Sequence, residues 1–119
     1  MSEKFAGAEK RRYPRADGRF IVSYRVIPKN ENSDISQTKN LSLGGMLLTT
    51  NCHFPKGTNL ALEIRLPLDP DIIHIIAIVL ESREISKGII YDTRLNFLAI
   101  DEKHRKIVSE TVGYYIKKG

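Results

Sequence analysis

Alternation of apolar and polar residues over positions 59–66 is the feature that most restricts the fold of this chain. Leu60, Leu62, Ile64 and Leu66 stand at every second position, with mostly polar residues between them. Successive side chains of a β-strand point to opposite faces of a sheet, so the pattern predicts a strand with one buried face. A Pro-Leu-Asp-Pro sequence follows and ends the strand, because proline cannot donate to a ladder of hydrogen bonds.

Further strand patterns lie on both sides of this segment. Residues 72–79 include five isoleucines and a valine, and such β-branched residues favour a strand, which continues to Ile85. Because both faces of this strand are apolar, we expect a cover over the outer face, either the C-terminal helix or another subunit. Strands are also predicted over residues 19–27, 46–50 and 89–100.

The C-terminal segment has the spacing of an amphipathic helix. Asp101 is a suitable N-cap for a helix over about residues 102–117. Gly113 disfavours that helix by about 1 kcal/mol relative to alanine. The apolar stripe predicts a helix that lies on the rest of the domain as a lid and not in a membrane. Its members are Val108, Val112, Tyr115 and Ile116.

Length and composition indicate a single domain. With 119 residues, 41% hydrophobic and 28% charged, the chain is large enough for one packed core and has a polar surface. We expect residues 1–9 to be a flexible N-terminal tail and residues 10–119 to form the domain. The net charge of +5 favours an anionic partner without saying which one.

Cysteine content and the N-terminal sequence indicate the cytoplasm. Cys52 is the single cysteine, so no disulfide can form within the chain, which fits a reducing compartment. The N-terminal residues lack the apolar core of a signal peptide, and the longest apolar run, at residues 75–80, is too short to cross a bilayer. We therefore expect a cytoplasmic protein without a membrane partner.

Basic residues concentrate near the N-terminus. Lys10, Arg11, Arg12 and Arg15 fall within a six-residue segment that also contains Pro14. A guanidinium group can donate two parallel hydrogen bonds to a phosphate or to the O6/N7 edge of guanine. Proline forbids a continuing helix, so we predict a bent, partly extended strap that can wrap an anionic ligand.

A second polar segment follows some 25 residues later. Asn40 and Ser42 are two residues apart, so on an extended strand their side chains point to the same side. Gly44 and Gly45 allow a ligand to approach the main chain closely. This combination of amide, hydroxyl and open backbone suits a purine edge or a phosphate, and we predict that folding brings it together with the basic segment.

Read together, Arg11-xxx-Arg15 and Asn40-x-Ser42-xx-Gly45 resemble the two-part signature of the PilZ domain, RxxxR followed by [D/N]xSxxG. The resemblance spans about residues 9–117 and extends to strand order, length and the C-terminal helix. It implies a mainly β fold, a six-stranded antiparallel β-barrel with a C-terminal α-helix, that binds the bacterial second messenger cyclic di-GMP. The resemblance also predicts a strand at residues 34–42, a segment whose polar composition alone would indicate a loop.

The resemblance implies roles for individual residues. Arg11 and Arg15 would contact guanine and phosphate. Asn40 and Ser42 would bond a guanine edge or a phosphate, and Gly45 would leave room for the base. Asn40 takes the place of the commoner aspartate of the motif, which removes a charge.

The neighbouring residues Lys10, Arg12 and Gly44 complete the candidate site. Lys10 precedes RxxxR, a position that in this family influences whether one ligand or a stacked pair binds. The implied protein is a receptor whose strap becomes ordered on the ligand and so changes the surface offered to a downstream protein partner. The apolar strand at residues 72–79 also leaves a homodimer open, and no cofactor other than the ligand is expected.

Enzyme and metal chemistry find no support in the sequence. Cys52 and His53 are adjacent, but the chain has no second cysteine, and its other histidines lie in different predicted elements. Adjacent side chains on an extended segment point apart, which argues against a Cys-His nucleophilic pair. Neither GxxxxGK[ST] nor GxGxxG occurs, and no matched acid/base pair is found. We therefore expect a protein that is not an enzyme.

Two other functions stay open as alternatives. A small basic barrel can bind single-stranded nucleic acid, but that class needs exposed aromatic rings, and Phe20, Tyr24 and Phe97 fall on predicted core faces. The other alternative is a protein–protein adaptor that has the same fold and binds no nucleotide.

On the polar face of the last strand, Arg94 and Asn96 either add contacts to a ligand on the barrel exterior or form a solvated strand face.

Overall fold

The computed structural model describes residues 16–27, 34–67 and 69–118 of the chain. The basic segment at residues 10–15 and the predicted tail at residues 1–9 lie outside these described residues. Within them, strands follow one another through short connections and a helix ends the chain. The elements are β1 (Ala16–Asp17), β2 (Ile21–Ile27), β3 (Asp34–Leu41), β4 (Gly45–Thr50), β5 (Asn59–Arg65), β6 (Ile72–Ser86), β7 (Ile90–Ile100) and α1 (Glu102–Lys118).

Six of the described strands close into a barrel. Their order around the wall is β3-β2-β5-β6-β7-β4, and β4 pairs back with β3. Every neighbouring pair is antiparallel. Closure pairs strand edges that an open sheet would expose, which stabilises a sheet in a chain of this size. The structure thus confirms the six-stranded antiparallel barrel with a C-terminal helix that the sequence predicts.

The short strand β1 lies on the same edge of β3 as β2. Ala16 and Asp17 pair with the end of β3, whereas β2 pairs with its start. At the break between them, Thr38 Oγ1 accepts the N–H of Phe20 at 3.1 Å and donates to the carbonyl of Gly18 at 2.9 Å. This buried hydroxyl therefore pairs backbone groups that the interruption of the ladder would otherwise leave unsatisfied.

The barrel core follows the predicted alternation. Leu60, Leu62 and Ile64 of β5 are fully buried, and the inward residues of β6 pack against them. On the outer face of β6, Ile76 and Leu80 are 36% and 42% exposed. Within the described structure, the helix therefore does not supply the cover that the sequence led us to expect for this face.

Helix α1 packs against the end of the barrel where β2 and β6 begin. Its N-cap is confirmed, because Asp101 Oδ1 accepts the N–H of His104 at 3.0 Å. The Nδ1 atom of the same histidine accepts the N–H of His74 at the start of β6, at 3.2 Å. Near the C-terminal end of the helix, the ring of Tyr115 meets that of Phe20 edge to face, with 5.2 Å between centroids.

The apolar stripe of α1 differs from the prediction at one position. Ile116 is 42% exposed, so its assignment to the buried stripe is wrong. At 100° per residue, Ile116 lies about 110° from the centre of the face that is buried. That face also includes a threonine, whose hydroxyl bonds a carbonyl one turn earlier. Among the helix residues whose exposure the structure describes, the buried ones are Ile107, Val108, Thr111 and Val112.

Candidate functional site

A tight corner at residues 42–45 connects β3 to β4, and one serine side chain shapes it. Ser42 Oγ accepts the N–H groups of Gly44 and Gly45 at 3.2 and 3.1 Å, and it donates to the Gly45 carbonyl at 3.2 Å. A hydroxyl has one donor and two acceptor sites, so these contacts use its full capacity. Ser42 therefore holds the corner, a role that the sequence did not indicate, while its contact with a ligand stays a prediction.

Gly45 allows β4 to approach β7 closely. A Cβ atom at this position would overlap the carbonyl oxygen of Leu95 and stand 3.2 Å from its carbonyl carbon. Next to it, the N–H of Phe97 donates to the carbonyl of Gly44 at 2.8 Å, which ties the corner to β7 through the backbone. The barrel wall itself thus requires a glycine at position 45. The room that this glycine would leave for a base stays a prediction.

Asn40 lies on the outer wall beside the corner. Its neighbour Leu41 points into the core and is fully buried, so the asparagine side chain is directed outward. The Oδ1 atom of Asn40 is nevertheless buried, and it meets no hydrogen-bond donor among the described residues. An unpaired buried acceptor costs about 1–3 kcal/mol. Asn40 therefore offers an acceptor that a ligand or the basic segment can pair.

A β-bulge at Lys39 precedes Asn40. The register between β3 and β4 shifts between Thr38 and Asn40, so Lys39 is the extra residue. Its Nζ forms an ion pair with Asp92 Oδ1 of β7 at 2.8 Å, and the carboxylate is only 10% exposed. The ion pair fixes the bulged residue to the wall, and bulges of this kind redirect the side chains that follow them.

Two rows of residues cross the outer wall next to the corner. In the first row, Asn40 of β3 pairs with Leu47 of β4, which in turn pairs with Arg94 of β7. In the second row, Gly45 pairs with Asn96. Leu47 and Gly45 form a low apolar floor between the polar groups of β3 and those of β7. Sequence reasoning missed Leu47, although its two-residue spacing from Gly45 places it on the same face.

A surface cavity of about 720 Å³ adjoins the corner. Leu43 and Gly44 line it from the corner, Asn96 lines it from β7, and Arg105 lines it from α1. Ligand pockets in proteins commonly measure roughly 300–1,000 Å³. The cavity is therefore large enough for a nucleotide, and its lining includes both an amide and a guanidinium group.

The corner brings half of the predicted site residues together. Those that lie on it or directly beside it are Asn40, Ser42, Gly44 and Gly45. Those that lie outside the described residues are Lys10, Arg11, Arg12 and Arg15. The first described residue, Ala16, pairs with Leu41. The chain thus enters the barrel wall next to Asn40.

The Cys52-His53 pair has no feature of a reactive site. Partial desolvation raises the pKa of the Cys52 thiol, and the Asp34 carboxylate raises it further, so the thiol is protonated near neutral pH. The His53 ring packs instead against Tyr91, with 6.0 Å between centroids. Over residues 16–27, 34–67 and 69–118, no three potential metal ligands come together. In the same ranges, no helix combines the length and apolar character needed to span a bilayer.

Fold and corner together define a class of protein, a closed antiparallel β-barrel with a C-terminal helix and a polar, glycine-containing corner on its outer wall. The family model for the PilZ domain matches residues 9–112, so the chain belongs to the PilZ domain family. A search of curated proteins finds no match.

Solved structures that share this fold include the two described here. The inhibitor of motility MotI/DgrA of Bacillus subtilis superimposes with a TM-score of 0.72 and 23% identity, over 91% of this chain and 50% of that one. The chain thus spans half the length of that protein. The PilZ domain of YcgR from Escherichia coli, solved with c-di-GMP, superimposes with a TM-score of 0.67 and 17% identity, over 92% of this chain and 93% of that one.

Proposed function

We propose that this chain is a cytoplasmic receptor for cyclic di-GMP and has no catalytic activity of its own. The observation that supports the proposal best is the Oδ1 of Asn40, which meets no donor among the described residues. This atom lies beside the apolar floor and next to the point where the chain enters the wall. Membership of the PilZ domain family supports it as well. So does the c-di-GMP bound to the similarly folded YcgR domain.

The proposed site combines two sources of binding groups. Asn40 accepts a hydrogen bond from a guanine N–H or from a guanidinium group, which removes the cost of its unpaired acceptor. Arg11 and Arg15 donate to phosphate oxygens and to a guanine edge, where charge-assisted, bidentate hydrogen bonds are strong. Lys10 and Arg12 add positive charge for the two phosphates of the ligand. The corner glycines keep the wall low enough for a base to approach.

We further propose that residues 10–15 become ordered when the ligand binds. These residues are rich in charge and contain few apolar side chains that could hold them on the barrel. Ligand-dependent ordering would change the surface next to the corner, and a downstream protein would recognise the changed surface. Limited digestion with trypsin measures this step, since cyclic di-GMP should protect the bonds after Lys10, Arg11 and Arg12 from cleavage.

Isothermal titration calorimetry with cyclic di-GMP tests the proposed function, with GTP and cyclic di-AMP as control ligands. We expect binding of cyclic di-GMP alone, and we expect Arg11→Ala or Arg15→Ala to abolish it while the circular dichroism of the barrel stays unchanged. The Arg25→Ala variant removes the same charge from an exposed position on β2 and should bind normally. Unchanged affinity in both motif variants would overturn the proposal.

Binding of single-stranded nucleic acid is the weaker alternative. Such proteins stack bases on exposed aromatic rings, each worth about 1–3 kcal/mol. Here Phe20 and Tyr24 are buried in the core, with 4% and 3% of their surface exposed. A steep salt dependence of oligonucleotide binding, with affinity for any sequence, would favour this alternative instead.

A further inference from the structure

Strand β7 presents two polar side chains to the floor described above. Register places Arg94 opposite Leu47 and Asn96 opposite Gly45, and the intervening Leu95 is buried, so both polar side chains point outward. Neighbouring strands lie about 4.8 Å apart, which puts β7 about 10 Å from β3 across the floor. A flat base that lies on the floor next to Asn40 therefore has its far edge within reach of β7.

Arg94 is available for such a contact. Its side chain is exposed, and within the described part of the chain it makes no ion pair or hydrogen bond, although Glu81 of β6 lies opposite it in the ladder. Lys39, the residue before Asn40, is already engaged with Asp92, and Arg105 lies on α1, outside these two rows. Among the described residues of these two rows, Arg94 is therefore the cation that can turn toward a ligand without losing a partner.

We infer that Arg94 is a specificity-determining residue that reads a guanine of the ligand through its O6 and N7 atoms. The inference rests on the proposed function and adds a third segment, on β7, to the site. Guanine presents two acceptors at this edge, whereas adenine replaces O6 with an amino donor, and the arginine fork matches the guanine pattern alone. Asn96, on the wall of the adjoining cavity, supports the same base with its amide.

Substitution of Arg94 by lysine distinguishes a bidentate contact with the base from simple attraction between charges. Arg94→Lys keeps the charge but loses the planar fork, so we expect the affinity for cyclic di-GMP to fall about tenfold. Arg94→Ala should weaken binding at least as much, while Arg25→Ala on β2 is the matched control. Thermal unfolding of each variant by circular dichroism should match the parent, because substitutions at exposed positions usually change stability little.

An analogue of cyclic di-GMP in which 7-deazaguanine replaces guanine completes the test, because it lacks the N7 acceptor. We expect the parent protein to bind the analogue more weakly than it binds cyclic di-GMP. In Arg94→Lys, the loss of affinity caused by the analogue should be at least about threefold smaller than in the parent. An equal loss in both proteins, or normal affinity of Arg94→Lys for cyclic di-GMP, would overturn the role of Arg94. Failure of the parent to bind cyclic di-GMP would instead overturn the proposed function.

Discussion

Replacement of Gly45 by alanine tests whether the barrel wall itself requires a glycine at the corner. The added methyl group would overlap the carbonyl oxygen of Leu95, and it would also stand 3.4 Å from the Cα of Asn96. All of these atoms belong to the backbone of β7, so no side chain can rotate away to make room. The two strands must move apart, which weakens the bond between the Phe97 N–H and the Gly44 carbonyl.

The expected magnitude follows from these two effects. Overpacking of a well-packed site costs about 1–3 kcal/mol. Loss of one backbone hydrogen bond adds about 1 kcal/mol, so the variant should be destabilised by about 2–4 kcal/mol in total. At roughly 4 °C per kcal/mol for a domain of this size, the melting temperature should fall by about 8–16 °C.

Differential scanning calorimetry of the parent and of Gly45→Ala measures this shift. Gly113→Ala is the matched control, because a Cβ at that helical position meets no atom within 4 Å. If Gly45→Ala melts within about 2 °C of the parent, the close approach of β4 and β7 is refuted. If it melts lower but still binds cyclic di-GMP when folded, the wall requires the glycine and the ligand does not.

Three further predictions concern the barrel and its helix. Gly113→Ala should raise the free energy of unfolding by about 1 kcal/mol in urea titrations, since alanine has the higher helix propensity and the site is open. Thr38→Val should lower it by about 1–3 kcal/mol in the same assay, because two backbone groups at the break between β1 and β2 lose their partner. Burial raises the pKa of Tyr24 to about 12, with a further contribution from the Asp34 carboxylate. A pKa that is higher in the folded than in the unfolded state contributes stability that is lost at high pH, here as the pH rises from 10.0 to about 12. Absorbance titration of tyrosinate should therefore show a late-titrating group that Tyr24→Phe removes.

Each of these predictions has an outcome that contradicts it. An unchanged or lowered stability of Gly113→Ala would mean that position 113 is not an open helical site. If Thr38→Val leaves the free energy of unfolding unchanged, water or a shift of the chain must pair the backbone groups at the break between β1 and β2. Tyrosines that all titrate near pH 10.0 in the folded protein would show that Tyr24 is solvated and not part of the core.

The sequence predicts the secondary structure well, because strand and helix periodicity are local properties. Alternation over residues 59–66 identifies β5, and the run of isoleucines identifies β6. Strand β3 is the exception, since its residues are mostly polar and Ile35, its first apolar residue, is 75% exposed. Only its pairing with β2 and β4 makes this segment a strand, and the sequence indicated it solely through resemblance to the PilZ domain.

The motif residues are visible in the sequence, but what holds the corner is not. Ser42 and Gly45 stand out by their spacing, yet their spacing does not indicate that the hydroxyl is used within the corner or that β7 excludes a side chain. Likewise, Ile116 has the right spacing for the buried face of α1, and only the orientation of the helix on the barrel exposes it.

The sequence by itself determined the elements other than β1 and β3, the family and the residues of the corner. Only the tertiary structure decided that Asn40, Leu47 and Arg94 form one row, and that Gly45 meets the backbone of Leu95 about 50 positions away. The physical reason is barrel closure. Register between β3, β4 and β7 is set when the sheet joins its own edges, and no local pattern of apolar and polar residues encodes which residues then become neighbours.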